Sequence, residues 1–249
     1  MSTTYPFIAE KIARVKEQIA VVCRQAGRSE SDVKLMAVSK THPAEAIAEA
    51  YAAGLRLFGE NRVREFQQKS SALQTLGIHV ADGMTTADAA EVHLIGHLQS
   101  NKTARAAEIF TSIDTVDSLK LAQRLNEAIP ADRKLPVLLE LKLSGESAKT
   151  GLLPDSADLS ELLEKLPDLA NLRMQGLMTV PPLDDNPETA RSCFRQLRQL
   201  RDQLAAKYQR LDFSELSMGM SGDFPIAIEE GSTLIRVGTA IFGSRPRPA

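Results

Sequence analysis

Lys40 arrives at the end of Val33-Lys34-Leu35-Met36-Ala37-Val38-Ser39, and Thr41-His42-Pro43 follows it at once. The seven residues before it are apolar on both parities and too short a run for a helix. That is the pattern of a parallel strand buried from two sides. Pro43 then opens a helix over Ala44 to Ala53. In barrels and open α/β sheets alike, chemistry collects at the carboxyl ends of strands. A lysine stem among apolar neighbours disfavours the ammonium and leaves the free amine more available, as a Schiff-base lysine requires. Taken alone, a lysine in this place more often closes its strand and snorkels to water. Other stretches must decide between the two.

Two glycine-bearing turns near the C-terminus supply the second half of the chemistry. One is Ser217-Met218-Gly219-Met220-Ser221-Gly222-Asp223, leading into a short helix that ends near Glu230; the other is Arg236-Val237-Gly238-Thr239-Ala240-Ile241-Phe242-Gly243. Glycines let backbone N–H groups turn toward one point, and a helix N-terminus adds a favourable dipole for an anion. Ser221 and Thr239 bring hydroxyls to the same place. Either turn alone is also what a tight bend with φ > 0 needs. Two such turns opposite a strand-end lysine make a phosphorylated aldehyde the economical ligand.

The elements that must position these residues form an alternating series. Ile8, Ile12, Val15, Ile19 and Val22 step by four and three, a helix with one apolar stripe that ends near Gly27. Strands are expected at Val33 to Lys40, Leu55 to Asn61, Val92 to Gly96, Thr111 to Asp114, Val137 to Leu143, Leu172 to Val180, Phe213 to Ser217 and Thr233 to Val237. Helical patterns lie between them, including Val63 to Leu76, a helix capped by Asp117 with the stripe Leu121, Leu125 and Ile129, and a long helix from Pro187. Residues 77–91 read as an inserted loop with one short helical turn. On the fifth strand Val137, Leu139, Leu141 and Leu143 share an apolar face, which turns Glu140 and Lys142 toward the barrel interior. Eight strand–helix units without a linker mean one closed (β/α)8 barrel over residues 1–249, of the TIM type. Little chain follows the eighth strand, so the N-terminal helix is expected to pack there.

Composition narrows the function classes. The chain has 249 residues, 43% hydrophobic and 25% charged, with net charge −2, so no basic field points to nucleic acid or an anionic membrane. No apolar run reaches the roughly 18 residues of a spanning helix, and no export signal opens the chain. A cytoplasmic location is expected. Cys23 and Cys193 read as two buried thiols. His93 and His97 are four apart, but Gly96 and a strand pattern deny them a shared helical face, so no metal site is assigned. Arg191, Arg195, Arg198 and Arg201 lie beside a helical stripe and read as a solvated face, with a docking surface as the alternative.

Several motifs resemble one family. They are Val38-Ser39-Lys40-Thr41, Phe58-Gly59-Glu60-Asn61, His93-Leu94-Ile95-Gly96, Leu98-Gln99-Ser100-Asn101-Lys102, Gly176-Leu177-Met178 and the two glycine turns. In this order they are similar to the pyridoxal phosphate homeostasis proteins, single-domain relatives of the alanine racemase N-terminal barrel. The resemblance implies pyridoxal 5′-phosphate held by Lys40 as an aldimine. It implies Ser221 and the backbone of Gly238 and Thr239 at the phosphate, Arg236 at the pyridine nitrogen, Asn61 and Met178 lining the pocket, and His93 close by. The chain departs from the family at Val92, where a tryptophan is usual, in the long 77–91 loop, and at Lys142, where a neutral amide is usual. Lys142 is expected to pair with Glu140 or an anion.

The resemblance leaves three readings. One is a holder of the cofactor that serves intracellular vitamin B6 homeostasis, with apo-enzymes as partners. Another is a racemase-like enzyme; a third, a sugar-phosphate aldolase, is disfavoured because Leu172 to Val180 carries no lysine. Racemisation needs a base on each face of the cofactor, and in the racemase relatives a tyrosine, a further domain and a partner subunit complete the site. The holder reading, as a monomer with no catalytic residue assigned, is the expectation.

Overall fold

The computed structural model describes residues 7–81, 88–143 and 150–244. Short apolar runs form the strands β1 (Lys34–Val38), β2 (Leu57–Glu60), β3 (Glu91–Leu94) and β4 (Ser112–Val116). They continue as β5 (Leu135–Glu140), β6 (Leu172–Met178), β7 (Glu215–Met220) and β8 (Leu234–Val237). The order is β1 to β8 in sequence, every pair is parallel, and β8 closes on β1 through Met36 opposite Arg236. The expected barrel is present.

Helices follow the strands: α1 (Ile8–Gln25) precedes β1, and α2 (Ala44–Ala52), α3 (Val63–Thr75), α4 (Thr103–Ile109) and α5 (Leu119–Ala128) follow. The ring continues with α6 (Ala157–Lys165), α7 (Pro187–Lys207), α8 (Phe224–Glu229) and α9 (Thr239–Phe242). The α1 stripe of Ile8, Ile12, Val15, Ile19 and Val22 is buried, and α1 packs on α2, α8 and α9. It therefore covers the gap that the single-turn α9 leaves.

Most apolar burial lies between barrel and helices, where outward strand residues such as Ala37, Phe58, Leu94, Ile113 and Leu139 meet the helix stripes. The barrel interior is more polar, holding Ser112, Asp114, Ser217 and Arg236 beside Met36 and Leu138. Both cysteines are buried and unbridged. Arg191, Arg195 and Arg198 converge on Glu230, itself 5% exposed, at 3.4, 2.9 and 3.4 Å. They fasten α7 to the end of α8 instead of forming a free basic face.

Element boundaries shift from expectation by a few residues in most strands, and three of the differences have a clear physical cause. The cap of α5 is Ser118, whose hydroxyl accepts the Leu121 N–H, and not Asp117. Strand β5 runs earlier than its alternating pattern, because pairing with β6 ends where Glu140 meets Met178. Strand β7 instead runs on to Met220 through Gly219, whose φ is +96°. A Cβ there would sit 2.5 Å from the Ala227 Cβ, so only glycine lets α8 lie this close. Within 77–91, Val80 bridges to Ala90 just before β3, on the face opposite the strands' carboxyl ends. Residues 82–87 of that loop, with any helical turn they hold, lie outside the described residues.

Candidate functional site

Strand β1 gives out at Val38, and the next three residues are fixed by their own polar groups. The Ser39 N–H donates to Gly59 O at 3.0 Å, and the His42 N–H donates back to Ser39 O at 3.1 Å. Thr41 takes φ +67°, in the left-handed region that non-glycine residues enter only at a cost of about 1–3 kcal/mol. The turn sets Lys40 at the mouth of a cavity of about 430 Å³ at the carboxyl ends of the strands. Asn61, Ser221, Arg236, Gly238 and Thr239 line the same cavity.

The two glycine turns meet through one hydroxyl. Ser221 Oγ accepts the N–H of Gly238 at 3.2 Å and that of Ala240 at 3.4 Å. Amide hydrogens at the start of α9 thus point to a single spot, where an anion would find them. Arg236 is 3% exposed and held rigidly: Nη1 donates to Ser217 Oγ at 2.7 Å and Nη2 to Thr179 O at 2.8 Å. Burial lowers its pKa, opposed by Asp114, Asp223 and Glu140, yet a guanidinium keeps its proton in a protein. Asn61 Oδ1 is buried and has no hydrogen-bond partner among the described residues.

Met178, expected to line the pocket, lies one pleat below its wall, and His93, expected close by, likewise stands behind a wall residue. Ile95 and Val180, two residues further on and just past the ends of β3 and β6, line the cavity, while His93 and Met178 are not among its walls. The reason is the two-residue period, which sets each about 6–7 Å below. Met178 is buried in register with Glu140 and Ser217. His93 Nδ1 lies 3.0 Å from Asp114 Oδ2, and Nε2 lies 3.9 Å from Glu91. Burial alone would lower the imidazole, but Asp114 and Glu91 push it up to about 9. His97 instead turns to Asp117 at 3.3 Å.

Lys142 lies beyond the end of β5, its N–H bonded to Leu152 O at 2.9 Å. The carboxylate of Glu140 accepts from Thr150 Oγ1 at 3.2 Å. His42 stands in the turn just after Lys40. It is 6% exposed, stacked on Phe242 with ring centroids 5.2 Å apart, and forms part of the cavity wall. Burial, then the charge of Lys69, lowers its pKa.

A buried charged group behind Lys40 also escaped sequence reasoning. Lys69 Nζ lies 2.8 Å from Glu60 Oε1, 2.7 Å from Glu65 Oε1 and 3.0 Å from Ser39 O. Its signal was present in the α3 pattern, since Lys69 falls in the buried stripe of Val63, Phe66 and Leu73. Burial pushes the Glu60 carboxyl up, against the pull of Lys69 and Ser39.

Comparison with known proteins bears on this geometry. The family model described as alanine racemase, N-terminal domain, matches residues 11–246. A relative from Aquifex aeolicus called pyridoxal phosphate homeostasis protein is 42% identical over 237 residues, 95% of this chain and 97% of the relative. The solved structure of PipY from Synechococcus elongatus with PLP bound is 40% identical with TM-score 0.79, covering 95% of this chain and 100% of that one. An alanine racemase of Clostridium difficile, 17% identical with TM-score 0.67, shares the barrel fold over 94% of this chain and 56% of its own.

Proposed function

Because this chain belongs to the alanine racemase N-terminal domain family, and within it to the pyridoxal phosphate homeostasis proteins, we propose that it binds pyridoxal 5′-phosphate in the strand-end cavity and serves vitamin B6 homeostasis. The observation that carries this reading is that Lys40, Arg236 and the Ser221–Gly238 junction open on one cavity. When bound, the cofactor supplies an aldehyde carbonyl that an amine captures reversibly. Lys40 is that amine. Ser221 and the N–H groups of Gly238 and Thr239 receive the phosphate, and Arg236 donates to the ring nitrogen. The orphaned Asn61 Oδ1 suits a ligand polar group. Met178 and His93 support the site from the layer below, His93 by holding Asp114 near Arg236.

The reading is of a holder whose partners are the cofactor and apo-forms of the enzymes that use it, acting as a cytoplasmic monomer. Support comes from Arg236: a group that keeps its proton leaves the ring nitrogen unprotonated, and so a weak electron sink. Amino-acid chemistry draws on that sink. The test mixes the loaded protein with L- and D-amino acids and, separately, with an apo-enzyme that requires pyridoxal phosphate. Activation of the apo-enzyme without sustained amino-acid turnover is expected. Turnover at roughly 1 s⁻¹ or above, an ordinary enzyme rate, would overturn the reading in favour of a racemase-like enzyme.

A further inference from the structure

Lys40 sits between two residues whose backbones are held from behind by α3 and the end of β2. On the N-terminal side, Ser39 O accepts from Lys69 Nζ at 3.0 Å, and Ser39 Oγ donates to Glu60 Oε1 at 2.7 Å. On the C-terminal side, the Thr41 N–H donates to Glu65 Oε1 at 2.5 Å. Lys69 Nζ joins the two carboxylates at 2.8 and 2.7 Å. Glu60 is fully buried and Lys69 is 9% exposed, so neither charge has water to fall back on.

Three features show that this group does more than fill the space behind β1. Thr41 is the one non-glycine residue with positive φ among the described residues, and the bond to Glu65 ends on its own N–H. Strain of that kind persists only where the surroundings over-determine it. Glu65 and Lys69 are one helical turn apart on α3, which aims both side chains at the same loop. Finally, Glu60 immediately precedes Asn61, a wall of the cavity, so the cluster grips the loops on two sides of the site.

We propose that Lys69, bridging Glu60 and Glu65, is the positioning residue that presents the Lys40 amine to the cavity. It acts through the Ser39 carbonyl and the Thr41 N–H and touches no ligand itself. This inference rests on the proposed function, in which Lys40 captures an aldehyde. It predicts a separation: the cluster governs capture of the aldehyde and leaves the anion cradle around Ser221 and Gly238 alone.

The experiment compares pyridoxal 5′-phosphate with pyridoxine 5′-phosphate, which has the same ring and phosphate but an alcohol in place of the aldehyde. Affinities are measured by fluorescence or calorimetry for the unmodified protein, Lys69→Met, Lys69→Arg and the double variant Glu60→Gln/Lys69→Met. The double variant removes both buried charges, so it stays folded if the lone Glu60 charge unfolds the single one. Lys69→Met and the double variant are expected to weaken pyridoxal 5′-phosphate binding roughly ten- to hundredfold, the worth of one or two charge-assisted hydrogen bonds. Pyridoxine 5′-phosphate binding should stay within about twofold, and Lys69→Arg should recover part of the loss. Equal weakening of both ligands, or of neither, in a folded variant overturns the positioning role. If the unmodified protein itself binds the two equally, the aldehyde-capturing role of Lys40 fails first, and the positioning role with it.

Discussion

Ser221 Oγ accepts the Gly238 N–H at 3.2 Å, so the turns after β7 and β8 are joined by one hydroxyl. That oxygen also takes the Ala240 N–H, which leaves its own proton to donate into the cavity. Ser221→Ala should therefore weaken binding of pyridoxal 5′-phosphate by about 1.5–3 kcal/mol, the worth of a hydrogen bond to a charged group. Pyridoxal, which has no phosphate, should bind the variant and the unmodified protein alike. Equal losses for both ligands in a titration would remove the phosphate from this junction.

Lys40 is expected to carry the cofactor. Borohydride reduction of the loaded protein followed by peptide mapping should place the pyridoxyl group on Lys40, which lines the cavity with Arg236 and Ser221. Lys142 follows the end of β5 and is outside that wall. A label found mainly on Lys142 would contradict this assignment.

The parts of the fold legible in the chain were those set by local periodicity. The α1 stripe, the β1 run into Lys40 and the two glycine turns each appear where pattern and turn chemistry put them. What stayed hidden depends on partners distant in sequence. Where β5 stops is set by Met178 opposite Glu140, although the apolar alternation runs on to Leu143. The burial of His42 is set by Phe242, two hundred positions further along the barrel's closure. A charge such as Lys69 is read as solvated by default, and only Glu60 and Ser39 from other elements make its burial tolerable. The depth of Met178, one pleat below Val180, follows from the strand period, which a motif match does not count.

Glu230 is expected to be a stability residue. It is nearly buried where three arginines of α7 reach it, and their bonds hold its pKa low although burial opposes this. Glu230→Ala would leave those guanidinium groups repelling one another beside α8. A loss of roughly 1.5–3 kcal/mol is expected, the range for a hydrogen bond to a charged group. Among the described residues Arg201 pairs with its neighbour Asp202 alone, so Arg201→Ala should change stability by no more than about 0.5 kcal/mol. Urea unfolding of the two variants distinguishes this from a uniformly solvated arginine face, which would make both changes equally mild.

His93 should make the barrel lose stability on the alkaline side. Its pKa in the folded chain is pushed up to about 9, above the ordinary 6.5, because Asp114 and Glu91 outweigh the opposing effect of burial. A group whose folded pKa is raised adds stability that is complete below its unfolded pKa and fades as pH rises through the folded one. The window is therefore about pH 6.5 to 9, and the full contribution is on the order of 3 kcal/mol. Nuclear magnetic resonance of the imidazole should find it protonated at pH 7.5, with a midpoint near 9. Asp114→Asn removes the nearer carboxylate, at 3.0 Å, and should lower that midpoint by more than a unit. Unfolding free energies should agree: the advantage of the unmodified protein over His93→Gln should shrink between pH 6 and pH 10. A midpoint at or below the ordinary histidine value, or an advantage independent of pH, would show that His93 is held neutral and that Asp114 does not act through it.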